Sequence, residues 1–286
     1  MKYMIKRNLK IYFKDKGAVF FSLLGVAIIF CLFIFFIGDS ITEGVDFLDN
    51  ADYVMNSWVV AGMLASSAIT TSMGAYAVMV NDKEKKCIKD FYSSPLKRSS
   101  VTAGYMLAGF FVSVIMSVFT LIFGEIYIVA RGGEFLALPV LVKVLGVILL
   151  SSFASSAMVC FIVSLLKTNN AYTMLSILLG TLIGFLVGAY VTMGSLPDGV
   201  QWVIKCFPCA HAAALFRQLL MQDGMAAGFA DLPAQTLTEF KETTGVVFVY
   251  NSHTAQPWVH LAVLAATGVV FYLLATLRMT RKEKQI

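Results

Sequence analysis

Residues 99–124 read SSVTAGYMLAGFFVSVIMSVFTLIFG, 26 consecutive positions without an aspartate, glutamate, lysine or arginine. About 20 apolar residues, at a rise of about 1.5 Å each, cross the hydrocarbon core of a bilayer, so an uncharged run of this length reads as a transmembrane helix. The windows 17–38, 53–81, 144–166, 168–197 and 243–277 are also free of charge. Six spans are the simplest count. Composition agrees: 58% of the 286 residues are AVILMFWYC and 14% are charged, with a mean hydropathy of +0.79, whereas soluble domains carry about 25% charge. An ordinary soluble enzyme is excluded. The net charge of +5 resolves into short basic blocks at the ends of apolar segments, so nucleic acid is not an expected ligand.

Within these windows the expected spans are about 17–38, 54–80, 101–124, 144–166, 171–193 and 258–277. The last begins near Trp258, because Asn251, Ser252, His253, Gln256 and Pro257 suit a membrane poorly and tryptophan favours the interface. The first lies too far in, and is too long, for the apolar part of a signal peptide; it is expected to be a retained helix. Basic residues set the orientation. Segments 1–16, 81–100, 167 and 278–286 hold 17 of the 22 lysines and arginines, and the intervening set, Arg131, Lys143, Lys205, Arg217 and Lys241, holds five. Both termini are therefore expected in the cytoplasm of a multi-pass cell-membrane protein. The first outer loop is acidic, with Asp39, Glu43, Asp46, Asp49 and Asp52 and no basic residue.

Two segments depart from simple spans. In residues 1–16, Lys2, Lys6, Lys10 and Lys14 fall four apart on one stripe, with Ile5, Leu9 and Tyr12 or Phe13 on another. That is an amphipathic helix lying on a membrane or against a partner, or else a solvated basic tail. In residues 198–223, Asp198, Lys205, Arg217 and Asp223 cut the chain into apolar pieces too short to span, which suits a re-entrant helical hairpin packed on protein. Beyond it, up to 257, a small outer cap is expected around the β-like run Val246–Tyr250.

Enzymatic motifs are missing. No G-x-x-x-x-G-K-[ST] run exists for ATP phosphates, and His211, His253 and His260 lack H-E-x-x-H spacing. No acid lies at a span centre for ion coupling; Glu125 is near an outer end. Cys206-Phe207-Pro208-Cys209 has C-x-x-C spacing without a second pair to complete a metal site; it reads as incidental small apolar residues, and whether the two sulfurs pair is left open. Gly180, Gly184 and Gly188 repeat every fourth residue, a face for close helix packing or for a dimer. Ser151, Ser152, Ala154, Ser155 and Ser156, and the stretch Ala65 to Ser72, either line a path or pack helices.

Two loops resemble the permease subunits of ABC-2 type exporters, a branch of the ATP-binding-cassette superfamily. After the second span, Glu84-Lys85-Lys86-Cys87-Ile88-Lys89-Asp90-Phe91-Tyr92-Ser93-Ser94-Pro95 keeps that family's length from Glu to Ser-Pro, with Lys86-Cys87 in place of its usual Gly-Thr. After the fifth span come Leu196-Pro197, Trp202, Pro208 and Arg217 at the family's separations, with Phe207 where an Asn is usual.

The resemblance implies a single all-α polytopic domain over 1–286, with six transmembrane helices, the N-terminal amphipathic helix, a cytoplasmic loop at 81–100, and an outer segment at 194–257 holding the hairpin of Pro197, Pro208 and Arg217. It implies a permease that pairs with a second copy or homologous permease and docks separate ABC ATPase subunits, which supply ATP and Mg chemistry. It also implies a coupling loop carrying Glu84, Lys85, Phe91, Tyr92 and Pro95, and cargo that is hydrophobic or amphipathic: a drug, an antimicrobial peptide or a lipid-linked compound. The rival readings are an ATP-independent secondary transporter or channel, and a non-transporting immunity or assembly protein of the membrane.

Overall fold

The computed structural model describes residues 1–37, 45, 47–48, 50–93, 98–250 and 253–281. A first helix, α1 (Lys2–Lys14), is separated by Asp15 from α2 (Lys16–Leu32), which runs on as a π-helical turn, Phe33–Ile37. The Asp15 carboxylate accepts the Ala18 N–H at 3.0 Å, satisfying a donor that the start of α2 would otherwise leave orphaned. Then follow α3 (Ala51–Glu84), the short α4 (Ile88–Ser93), α5 (Arg98–Ala130), α6 (Leu138–Leu165) and α7 (Asn169–Leu186). The outer segment holds α8 (Asp198–Cys206), α9 (Pro208–Leu220), α10 (Gln222–Gly228), α11 (Ala234–Thr243) and a two-stranded antiparallel ribbon, β1 (Val249–Tyr250) with β2 (His253–Thr254), before α12 (Pro257–Arg281). Among the described residues, six helices, α2, α3, α5, α6, α7 and α12, are long and apolar enough to cross a membrane.

α3 is the axis of the bundle. Over its length it packs against α2, α5, α6, α7 and α9, and Val54, Trp58, Val59, Val60, Ala61, Leu64 and Ala65 are almost fully buried. Its 34 residues extend for about 50 Å, so its last turn projects beyond the apolar window and carries Asp82, Lys83 and Glu84 to one end of the molecule. Lipid tails provide no hydrophobic drive between helices, so close packing of small residues and shared hydroxyls take over. Ser113 Oγ donates to Ala68 O at 2.9 Å and to Ser152 Oγ at 3.0 Å, and the Tyr76 hydroxyl reaches Ser156 O at 2.9 Å. Apart from Thr70, which reaches the groove between α2, α3 and α7, the serine-rich stretches of the second and fourth spans are thus buried helix contacts. In contrast, α7 is mostly exposed, with Met174, Ile177 and Leu178 facing outward.

The uncharged window that contains α7 runs on to 197, yet the helix stops at Leu186. Gly188 adopts φ +64; its N–H bonds to Phe185 O at 3.0 Å and the Ala189 N–H to Gly184 O at 2.7 Å. This pair of bonds is the Schellman arrangement. Composition cannot locate such a stop, since every residue around it is apolar.

Candidate coupling site at the basic end of the bundle

α1, the connection after α3, the α6–α7 turn and the last turn of α12 are the basic segments. Hydrogen bonds gather the first three around the end of α3. Asp82 is the centre. The Arg7 guanidinium donates to both of its carboxylate oxygens at 2.7 Å, and the Tyr105 hydroxyl donates to Oδ2 at 2.5 Å. Two-pronged pairing of this kind is the strongest form of the arginine–carboxylate contact. Hydrogen bonding to Asp82, against the opposing desolvation, holds the Arg7 guanidinium above its ordinary range. The same guanidinium lies 5.1 Å from the centre of the Phe91 ring on α4, within range of a cation–π attraction. One ion pair therefore ties α1, α3, α4 and α5 together.

The next two residues bind the other side. Lys83 Nζ donates to the carbonyls of Val163, Ser164 and Leu166 at 3.0, 3.1 and 3.4 Å; a cation there satisfies the orphan acceptors at the end of α6 and complements its dipole. Glu84 accepts from the Asn169 backbone N–H at 3.4 Å and from its side-chain amide, an acid at the start of α7 where the dipole favours one. Glu84 and Lys85 are exposed, and Phe91 is partly buried against the core. The backbone of Tyr92 continues α4; Pro95 lies outside the described residues.

α3 ends at Glu84, and two residues on Lys86 adopts φ +61 while its N–H bonds to Lys83 O at 3.1 Å. Left-handed backbone is natural for glycine and strained for lysine. The chain nevertheless turns here into α4, at the first of the two positions where the resemblance expects Gly-Thr.

A groove of about 680 Å³ opens between α2, α3 and α7. Its wall includes Phe21, Ile28, Met73, Ser176, Gly180 and Tyr190, and no lining residue is charged. The three glycines have different surroundings. A Cβ on Gly180 would meet nothing within 4 Å, one on Gly184 would strike the ring of Tyr190, and Gly188 terminates the helix.

At the opposite end, Pro197 precedes α8 and Pro208 opens α9. Arg217, buried in α9, donates to Gly188 O at 2.7 Å and Val187 O at 3.0 Å, capping α7, and lies 4.7 Å over the ring of Trp58. α9 packs among α3, α6 and α12, and α8 exposes Val200, Trp202 and Val203. Cys206 is exposed, Cys209 is buried, and all five cysteines are free.

The profile described as ABC-2 family transporter protein matches residues 39–277. The chain belongs to the ABC-2 transporter family. No curated protein matches it. The family places the chain among the membrane components of ABC transporters. Sequence reasoning missed Arg7, Asp82, Lys83 and Tyr105. A signal was available: Arg7 is the single arginine in α1, and Asp82 is the acid that ends the uncharged window 53–81.

Proposed function

We propose that this ABC-2 chain is the permease of an exporter whose ATP and Mg are handled by a separate ATPase docking at α4. The observation that carries the reading is the Phe91–Arg7–Asp82 junction. A push on α4 passes through the Phe91–Arg7 cation–π contact and then through the charge-assisted bonds at Asp82 to α3 and α5, and α3 forms one wall of the groove. The 17-to-five partition of basic residues puts this end in the cytoplasm. The α8–α9 pair serves as the re-entrant hairpin, with α8 laid at the outer interface through Trp202.

The groove serves as half of the translocation path. Its wall offers aliphatic and aromatic surface with the hydroxyls of Ser22, Thr70, Thr173, Ser176 and Thr181 and no counter-charge. Cargo that is apolar or amphipathic with a neutral polar portion suits it. A second permease closes the groove across the exposed face of α7 around Gly180.

The test is to purify the chain with its candidate ATPase. Phe91→Ala removes the ring against which Arg7 lies and is expected to abolish most cargo-stimulated hydrolysis, because α4 then loses its contact with the Arg7–Asp82 pair. Lys85→Ala, at an exposed position, is expected to have little effect. Transport by the permease without nucleotide, or unchanged coupling in Phe91→Ala, overturns the reading. In a cysteine-free background, a cysteine at Thr243 should react with an outside reagent and one at Ser93 should not.

A further inference from the structure

α1 has two faces, and the bundle accounts for one of them. Met4, Asn8 and Tyr12 point inward: Met4 packs so closely on α5 that a Cβ on Gly104 would lie 2.8 Å from its own, and the Tyr12 hydroxyl hydrogen-bonds Ser22 Oγ at 2.6 Å. The other face carries Lys2, Lys6, Lys10 and Lys14, all exposed and, among the described residues, without an ion pair. At about 100° per residue, Phe13 falls between Lys2 and Lys6, and Tyr3 between Lys10 and Lys14. These aromatics are themselves exposed, Tyr3 by 88% and Phe13 by 41%. A purely solvated basic face has no use for them, whereas a helix at a bilayer surface seats aromatic rings at headgroup level with lysines reaching the phosphates.

The position of α1 agrees. A single residue, Asp15, separates it from the apolar span α2, so α1 is held at the mouth of that span while α5 fixes which face turns away. Asp15, the acid beside the stripe, has its carboxylate engaged with the Ala18 N–H.

We infer that the lysine face of α1 binds the headgroup phosphates of anionic phospholipids in the adjoining leaflet, and that this contact sets how well α4 drives the bundle. The second half rests on the coupling reading above. Arg7 projects from the same short helix and grips both Asp82 and Phe91, so lipids that fix α1 also fix the junction through which α4 acts. With few anionic lipids, α1 is held only by its contacts with α2, α3 and α5, and the junction loosens.

The chain, reconstituted in phosphatidylcholine vesicles, is titrated with spin-labelled phosphatidylglycerol and spin-labelled phosphatidylcholine, and the relative association of the two is read from the motionally restricted signal. Phosphatidylglycerol is expected to be preferred, and the preference is expected to fall roughly threefold or more when Lys2, Lys6, Lys10 and Lys14 are all changed to Gln. It should survive the four Lys→Arg changes and fade in high salt, where screening shortens to about 3 Å. The change of Lys85 and Lys86 to Gln should leave it in place.

An unchanged preference in the four-Gln variant overturns the site. If that variant keeps its lipid preference and loses the ATPase subunit, the stripe is a protein dock and the proposal is wrong. Stimulated ATP turnover is then compared with and without phosphatidylglycerol: a rise in the native chain that the four-Gln variant lacks supports the regulatory half, and equal turnover refutes it. Because lipid association is measured without an ATPase, it stands or falls separately from the coupling reading.

Discussion

Replacing Arg7 by methionine isolates the junction on which coupling depends. Methionine keeps the unbranched stem and removes the guanidinium, leaving Asp82, whose side chain is 8% exposed, with the Tyr105 hydroxyl still donating to it. Two charge-assisted hydrogen bonds are lost, each with a net value of about 1.5–3 kcal/mol, and stranding one member of a buried pair costs about 3–5 kcal/mol. Arg7 is itself 33% exposed, so water reaches the vacated site and the upper end of that range is not attained. We expect a loss of about 2–3 kcal/mol, roughly a 30- to 150-fold change in the folded-to-unfolded ratio. Asp82→Asn is expected to cost about 1 kcal/mol, because the partly exposed guanidinium can turn to solvent. The double variant should cost less than the two together, with a coupling energy of about 1 kcal/mol or more. Reversible unfolding in mixed micelles, followed by circular dichroism over increasing dodecyl sulfate, measures all three. Strict additivity, or a loss below about 0.5 kcal/mol for Arg7→Met, refutes the reasoning: the four helices would then be held by apolar packing, and the ion pair would be a surface ornament.

Lys86→Gly should stabilise the fold by about 1 kcal/mol and so raise the unfolding midpoint, because φ +61 is a strained conformation that glycine adopts freely; a lower midpoint argues against that backbone. Gly188→Ala should lower stability by about 1–2 kcal/mol for the converse reason, while Gly180→Ala, with open space around it, should stay within about 0.5 kcal/mol; equal losses at both would contradict the helix stop. The His211 Nε2–H donates to Lys205 O at 2.9 Å, and its Nδ1 faces Nδ1 of His260 at 2.8 Å. Burial lowers the His211 pKa from 6.5, so the folded state binds fewer protons than the unfolded. Stability is then complete above about pH 6.5 and declines as pH falls below it; an unfolding temperature that does not drop between about pH 7 and about pH 5 would count against this assignment.

The apolar windows, the α1 stripe and the short pieces into which charges cut 198–223 were legible in the amino-acid sequence because each follows from a property that a short segment possesses by itself: cost of charge in hydrocarbon or helical periodicity. Six helices and the side on which the basic residues gather follow from those terms. The spacing from Glu84 to Pro95 likewise marked the loop that holds α4. Other features depend on neighbours remote in sequence. Nothing near Arg7 announces that its partner is Asp82, 75 positions away, or that Arg217 caps a helix ending near Gly188. Ser152 and the stretch Ala65 to Ser72 read equally well as a polar path or as packed helices until the fold set Ser113 of α5 against both Ala68 O and Ser152 Oγ. The three glycines share one spacing and have three surroundings, since a Cβ is excluded only by what the fold brings against it. Local free energies decide which segments enter the membrane and as what; pairing of buried polar groups, which is possible only after the helices have met, decides how they are joined and through which residues a movement at α4 is passed on.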